Sequence, residues 1–380
     1  MNLKEQFEIL RPYNDEEAKY AIERIISNPL FIGIAQYIFE DKPIENVFSE
    51  FKNISTIDKF QSFFSDYAVK QTVKKTSTGL TFGGLDNLDK NTPYLFIANH
   101  RDIVLDSAIM QILLLENGHK TTQITFGDNL MSNQFIIDLG KMNKMFTFYR
   151  SGSRIDQYKN ALLHSAYIHH VIKEKKESIW IAQRDGRTKD GNDKTQAGLI
   201  KMLIAGQGNI IDSLINLNIV PISTSYEYEP CDIQKVNELY MSKKTNYVKS
   251  KGEDLKSVMS GITGFKGRIH VQFAKPLNDF IKKLTSQSIN TNEIIDAIVK
   301  EIDYQIYINY KLREASYISY DMLNNNNNFI NQKYSKIDAE KFGKYMENKI
   351  SLIEGNKIEL QSLFLKIYAN PLINFIEATK

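Results

Sequence analysis

Hydrophobic positions along the chain fall into three regimes. From residue 1 to about 75 they recur at helical spacing: Phe7, Leu10 and Tyr13 open an amphipathic pattern that continues over 16–26. The stretch 29–40 is apolar on most sides, through Leu30, Phe31, Ile34, Ala35, Tyr37, Ile38 and Phe39, and is expected to lie buried between helices. Residues 48–67 predict one or two more aromatic-rich helices. The run Gly79-Leu-Thr-Phe-Gly-Gly breaks the helical period, so 73–82 reads as a strand or hairpin leading into the central region.

From about 85 to 285, short apolar runs alternate with helical patterns. That alternation predicts an α/β fold with a mainly parallel sheet flanked by helices. Strands are expected at 94–98, 124–126, 145–149, 178–182, 219–226 and 268–273, with helices at 133–139, 158–175, 198–203 and 209–217. Pro221 suggests that its strand is an edge or carries a bulge. From 290 the pattern returns to helix. Tyrosines at 304, 307, 310, 317 and 320 mark one helix over 302–320, 324–328 is an asparagine loop, and 342–380 gives one or two helices with a break near Pro371. The expected organisation is a helical N-terminal domain (1–78), an α/β domain (79–288) and a helical C-terminal extension (289–380).

Composition narrows the class. With 42% apolar and 24% charged residues, the 380-residue chain reads as a well-packed soluble protein. The single cysteine, Cys231, rules out an intramolecular disulfide framework and points to a reducing, cytoplasmic compartment. No apolar run approaches the roughly 20 residues of a membrane span, and the charged N-terminus does not read as a signal peptide. A net charge of +3 is too small to imply nucleic acid; it suits a basic pocket for a phosphorylated substrate, or peripheral docking on an anionic membrane.

The candidate chemistry sits where predicted strands end. The strand 94–98 runs into Asn99 and His100, the strand 145–149 into Arg150 and Arg154, and the strand 178–182 into a loop with Arg184, Asp185, Gly186, Arg187 and Thr188. A parallel sheet carries its strand C-termini on one edge, so an imidazole, a carboxylate and several guanidinium groups are expected in one cleft. A general base beside fixed cations suits transfer onto a hydroxyl of an anionic, phosphorylated small molecule, with Arg as the two-oxygen phosphate clamp.

Blander readings compete with these. A lone His is more often structural, but His100 stands at a strand tip with carboxylates downstream. Asp102 and Asp106 compete as its partner; Asp102 reads as a helix N-cap, being too close in sequence to reach back. His169 and His170, in a lysine-rich helix, read as solvated, and His270 as structural. Arg150 and Arg187 could each form a surface ion pair, and Gly186 could serve only as a positive-φ turn. The run Asp190-Gly-Asn-Asp193 is a poor calcium loop, and no His/Cys spacing suggests a metal.

The order of these blocks resembles the phospholipid/glycerol acyltransferase family, which includes glycerol-3-phosphate and lysophosphatidate acyltransferases. Gly84-Leu-Asp-Asn-Leu and then 94–100 are similar to its first block and Phe148-Tyr-Arg150 to its second. Residues 181–188 are similar to the third, Ile219-Val-Pro-Ile to the fourth, and Val271-Gln-Phe-Ala-Lys-Pro276 to the closing strand. The likeness covers about 85 to 280, and it is five short blocks in order that carry it. The stretch leading to Asp185-Gly186-Arg187 looks most like the soluble plastid-type glycerol-3-phosphate acyltransferases, which also have a helical N-terminal domain.

The resemblance implies His100 as general base with Asp106 as its partner, and Arg150, Gly186 and Arg187 as a glycerol-phosphate pocket. It implies an acyl-CoA or acyl carrier protein thioester as co-substrate and a phosphorylated glycerol as acceptor. An activated thioester calls for no metal or cofactor. The oxyanion donors are expected among backbone N–H groups at the start of the helix after His100 or in the Asp185-Gly186 turn. The chain departs from the family in two places. Five residues, not four, separate His100 from Asp106, with the extra one expected in the loop before the helix; and Asp185 stands where Glu is usual.

Overall fold

The structure is a computed structural model that describes residues 2–131, 133–244, 247 and 252–380. Among these, seven strands form one sheet: β1 (Ser77–Gly83), β2 (Leu95–Ala98), β3 (Gln123–Gly127), β4 (Met145–Phe148), β5 (Ile179–Ala182), β6 (Ile219–Tyr226) and β7 (Gly267–Phe273). Their order is β1-β7-β6-β2-β5-β3-β4. The five strands from β6 to β4 run parallel, β7 is antiparallel to β6, and β1 is parallel to β7. The fold is therefore mixed α/β with a mainly parallel sheet, as the pattern predicts. The C-termini of the five parallel strands share one edge with the starts of β1 and β7.

Burial on both faces explains why the central strands read as unbroken apolar runs. On β2, Leu95 and Ile97 join Ile179, Ile181 and Ile219 in one core layer with helices Arg154–Lys173, Ala197–Leu203 and Thr291–Asn309. Phe96 and Ala98 point the other way, into a layer with Trp180, Ala182, Val220, Ile222 and helix Leu105–Glu116. The first helix after 289 is thus part of the sheet's own core.

Residues 3–76 are mostly helical: helix Leu3–Leu10 packs on the sheet core through Leu10, and the helices from Asp15 to Thr76 surround an aromatic cluster that includes Phe31, Phe51, Phe60 and Phe64. Two of these helices begin with capping boxes, Asn2 with Glu5 and Asn14 with Glu17. Helix Pro29–Ile38 is not enclosed as expected. Phe31, Ala35 and Ile38 are buried, while Leu30, Ile32 and Tyr37 are exposed, because only one face packs on its neighbours. The stretch 73–82 holds the end of helix Asp66–Thr76 and the single strand β1. No described helix is long and apolar enough to cross a membrane.

Two prolines behave differently from expectation. Pro221 lies in β6, which is paired on both sides. Its carbonyl accepts from Ala274 N at 3.0 Å, so its backbone faces β7 one residue beyond the last ladder pair, Ile222 with Phe273. The ladder requires no N–H there. Pro371 does not break its helix, which runs unbroken over Lys357–Ala378. A proline leaves the carbonyl four residues earlier, Ile367, without its helical donor. Gly191 packs against that carbonyl: a Cβ at 191 would lie 2.1 Å from Ile367 O.

The tyrosine-marked segment is two helices, Thr291–Asn309 and Glu314–Leu323, not one. The interruption turns Tyr310 extended (ψ 122) and buries its ring 5.2 Å from the guanidinium carbon of Arg101.

Gly191 has φ +80 and no room for a side chain. Gly191→Ala is expected to cost about 2–4 kcal/mol, combining left-handed strain with overpacking. Urea unfolding measures it, and faster amide exchange in helix Lys357–Ala378 localises it.

Candidate functional site

The alternation along β2 continues past its end and decides where each side chain goes. Asn99, fully buried, turns toward β6: its Nδ2 donates to Thr224 O and Asp193 Oδ2 (3.0 Å each), and its Oδ1 accepts from Thr224 N (2.7 Å). His100 emerges on the face that carries helix Leu105–Glu116. The loop 101–104 takes up the extra residue before that helix, so Asp106 is its second residue. His100 Nδ1 and Asp106 Oδ2 are 3.0 Å apart, and the imidazole remains 12% exposed. The ring of Trp180, on neighbouring β5, meets the imidazole edge-on at 5.6 Å.

Asp106 is buried and heavily solvated by protein. Its Oδ2 also accepts from the backbone N–H of Arg101 (2.6 Å) and Asp102 (2.9 Å), and its Oδ1 accepts from Tyr226 Oη (2.7 Å). Burial alone pushes the carboxyl up. The hydrogen bonds from His100, Asp102 and Tyr226, with the charge of His100, outweigh it and hold the group below the usual carboxylate range. Asp102 does not touch the imidazole in this way. Its Oδ1 accepts from Val104 N (2.9 Å) and Leu105 N (2.8 Å), capping the helix. The backbone donors of 101, 102, 104 and 105 are therefore engaged by two carboxylates. Asp185 N is also taken, by Gln196 Oε1 (2.8 Å).

Between these groups runs a buried ionic network that sequence reasoning missed. Arg101 is fully buried; its Nε and Nη2 donate to Asp193 Oδ2 (3.1 and 2.6 Å), Nη2 to Gly191 O (3.2 Å) and Nη1 to Glu229 Oε2 (3.0 Å). Lys235 Nζ bridges Glu229 Oε1 (2.5 Å) and the Arg101 carbonyl (2.7 Å). Two cations thus face two carboxylates out of water. Desolvation works against the charged guanidinium, and Asp193 and Glu229 overcome it, holding Arg101 protonated. Asp193 also accepts from Thr188 Oγ1 (2.8 Å), while Thr188 N donates to His100 O (2.8 Å). The one available signal was a charged residue directly after His100; Asp193 lay hidden in the run that looked like a calcium loop.

The expected anion-binding residues differ in placement. Arg187 is buried, faces the Cys231 thiol, and keeps Nη1 without a hydrogen-bond partner among the described residues. Gly186 adopts φ +66, and nothing lies within 4 Å of where a Cβ would be, so backbone conformation alone favours glycine there. Arg150 leaves β4, three strands from β2, and its guanidinium crosses the end of β3 close to Gly127. Its Nη1 pairs with Asp185 Oδ1 at 2.7 Å, beyond β5. Arg154 opens helix Arg154–Lys173 in an exposed turn, outside this contact set. His169 is not solvated as expected: it is buried, its Nε2 3.1 Å from Leu203 O. His270 contacts Thr81 and Gln272 on the sheet.

Two concavities lie elsewhere than at His100. One, of about 360 Å³, lies between helices Asp66–Thr76 and Leu105–Glu116 beside the start of β1. The other, of about 200 Å³, is bounded by Glu229 to Gln234, Phe265, Tyr345 and Lys349. The ionisable groups above, not the cavities, define the candidate site.

Residues 79–225 match the model of a family described as Acyltransferase. No curated protein matches the chain. Among solved structures, the crystal structure of the 1-acyl-sn-glycerophosphate (LPA) acyltransferase PlsC from Thermotoga maritima is similar at 12% identity. That match covers 73% of this chain and 98% of that one, with a TM-score of 0.33.

Arg101→Met strands the carboxylate of Asp193 away from water and leaves Glu229 to Lys235 alone. The expected loss is about 3–5 kcal/mol in chemical denaturation, with part of it recovered when Asp193→Asn removes the unpaired charge.

Proposed function

We propose, from the match of residues 79–225 to the Acyltransferase family model, that this protein moves a fatty acyl group from a thioester onto a hydroxyl of glycerol 3-phosphate or lysophosphatidate. The donor in this reading is acyl-CoA or acyl carrier protein, and the product feeds phospholipid synthesis. The observation that carries the reading is the 3.0 Å contact of His100 Nδ1 with Asp106, inside the matched segment. With Nδ1–H donated to the carboxylate, the lone pair is on Nε2 of an imidazole that is 12% exposed.

The chemistry derives from that tautomer. The acceptor hydroxyl gives its proton to His100 Nε2 as its oxygen attacks the thioester carbonyl carbon. The tetrahedral adduct collapses, the C–S bond breaks, and the departing sulfur takes the proton from the imidazolium. Asp106 holds the ring and offsets the positive charge during the intervening step. Arg187, with an unpaired buried donor, is the first candidate for the acceptor's phosphate. Arg150 joins it if the phosphate displaces Asp185. Fixing the phosphate selects which hydroxyl reaches His100.

A lipid substrate also implies a peripheral seat on the inner face of a membrane. Leu255, Met259 and Phe265, exposed just before β7 and so near the same sheet edge, suit shallow contact with it.

An acceptor screen with both donor types, read by mass spectrometry and thiol release, tests the activity. His100→Ala is expected to lower turnover by about 10²–10⁴-fold with an unchanged melting temperature; undiminished transfer refutes the base assignment. Arg187→Ala is expected to raise KM for the phosphorylated acceptor about tenfold or more with a smaller change in kcat. An unmoved KM removes it from the phosphate site.

A further inference from the structure

We propose that Tyr226 is a positioning residue that tunes the His100–Asp106 pair: by donating its hydroxyl proton to Asp106 Oδ1, it draws charge from the carboxylate and weakens the carboxylate's hold on a protonated imidazole. The inference rests on the reading of His100 as the base.

Three observations converge on it. The two oxygens of Asp106 are served differently: Oδ2 accepts from His100, Arg101 N and Asp102 N, whereas Tyr226 Oη, at 2.7 Å, is the donor to Oδ1 among the described residues. The phenol cannot drift, because Tyr226 ends β6, whose register at Thr224 is locked by Asn99, the residue before His100. The hydroxyl also remains a donor. Burial, and then the negative charges of Asp106 and Asp102, push Tyr226 well above the ordinary phenol range, so it stays protonated.

The electrostatic sense is fixed by the direction of that dipole. With its positive end on Asp106, it weakens the hold of the carboxylate on an imidazolium, so losing the hydroxyl makes His100 more basic. A base that is too basic is already protonated at working pH and accepts nothing. The other charged or titratable groups around the triad come from several elements. They are Asp102 in the same loop, with the Arg101 guanidinium turned away to Asp193 and Glu229; Arg187 after β5; Glu229 and Cys231 after β6; Lys235 in helix Asp232–Lys244; and Lys266 before β7. A change confined to the Tyr226 hydroxyl leaves all of these in place.

The test is an NMR titration of the full-length protein with isotope-labelled histidine. The His100 signal is identified by its loss in His100→Ala. Tyr226→Phe is expected to raise the His100 midpoint by about 0.5–1 pH unit. Site-specific 3-fluorotyrosine at 226, a stronger donor of nearly the same shape, is expected to lower it. The acid limb of kcat/KM should move with it in both directions. Unmoved midpoints, or shifts of the same sign in both proteins, overturn the proposal. Should Tyr226→Phe fail to fold, the fluorinated protein decides alone: a lowered midpoint supports the tuning, and an unmoved or raised one ends it. The titration needs no turnover. Opposite shifts in a protein that transfers no acyl group therefore refute the function and not the tuning, while transfer with unmoved midpoints does the reverse.

Discussion

An arginine side chain with no water around it organises this molecule. Arg101 comes directly after His100 in the loop between β2 and its helix and is fully buried. A guanidinium in that position is tolerable only if its donors meet acceptors and its charge meets carboxylates. The chain supplies them from far away: Asp193 and Gly191 from the loop beyond β5, Glu229 from beyond β6, and the ring of Tyr310 from the break between two C-terminal helices. Lys235 balances the second carboxylate and ties it back to the Arg101 carbonyl. From Glu229 the network continues outward. Its N–H donates to Tyr368 Oη, which donates in turn to Asp232 (3.0 Å), where Tyr345 (2.5 Å) and Lys349 (3.4 Å) also converge. The C-terminal helices therefore complete the surroundings of the His100 loop.

The same economy governs the carboxylate of Asp106. Four donors reach a group that burial would otherwise drive toward its neutral form, and three of them come from the loop and helix that present His100. Conformation and charge are fixed together. The loop cannot swing without withdrawing the N–H groups of 101 and 102, and the carboxylate cannot turn without abandoning the imidazole. Preorganised polar groups of this kind require little rearrangement when charge develops on the ring. Asp102 has a parallel task at the helix start. A Cβ on Gly261 would lie 2.1 Å from its Oδ2, so helix Glu253–Thr263 can sit against the loop only because residue 261 has no side chain.

How much of this was legible in the sequence depends on the range of the interactions. Strands β2 and β5 are visible because both faces are buried and their side chains are uniformly apolar. The His100 loop was visible for a local reason, a strand run ending abruptly in polar residues before a helical period. Pro221 and Pro371 misled because their local rules depend on a partner that sequence does not display. At 221 the ladder on the β7 side has ended, and at 371 the orphaned Ile367 carbonyl lies against a glycine 176 positions earlier in the chain. His169 looked solvated because lysines surround it in sequence, yet the helix turns that residue toward Leu203. The partners of Arg101 lie 92 and 128 residues away, and no periodicity connects them.

The arginines of the sheet edge differ in what recruiting them would require, and that difference bears on the proposed acceptor site. Arg101 is not free for a ligand, since leaving its partners would strand the buried carboxylate of Asp193. Arg150 pairs with an Asp185 side chain that is largely exposed, and ion pairs in such surroundings contribute only about 0–1 kcal/mol. A phosphate offering two oxygens to the guanidinium fork displaces that carboxylate at little cost. Arg187 needs no displacement: a buried donor without an acceptor is a standing penalty of about 1–3 kcal/mol that an arriving oxyanion relieves. Gly127 adds the steric condition, because a Cβ there would approach to 3.0 Å from Arg150 Nε. The crossing of Arg150 over β3 thus depends on a bare backbone at the strand's last residue. In the proposed acceptor site Arg187 would therefore be the fixed anchor for an anion and Arg150 the exchangeable one, with Asp185 as the carboxylate to be displaced.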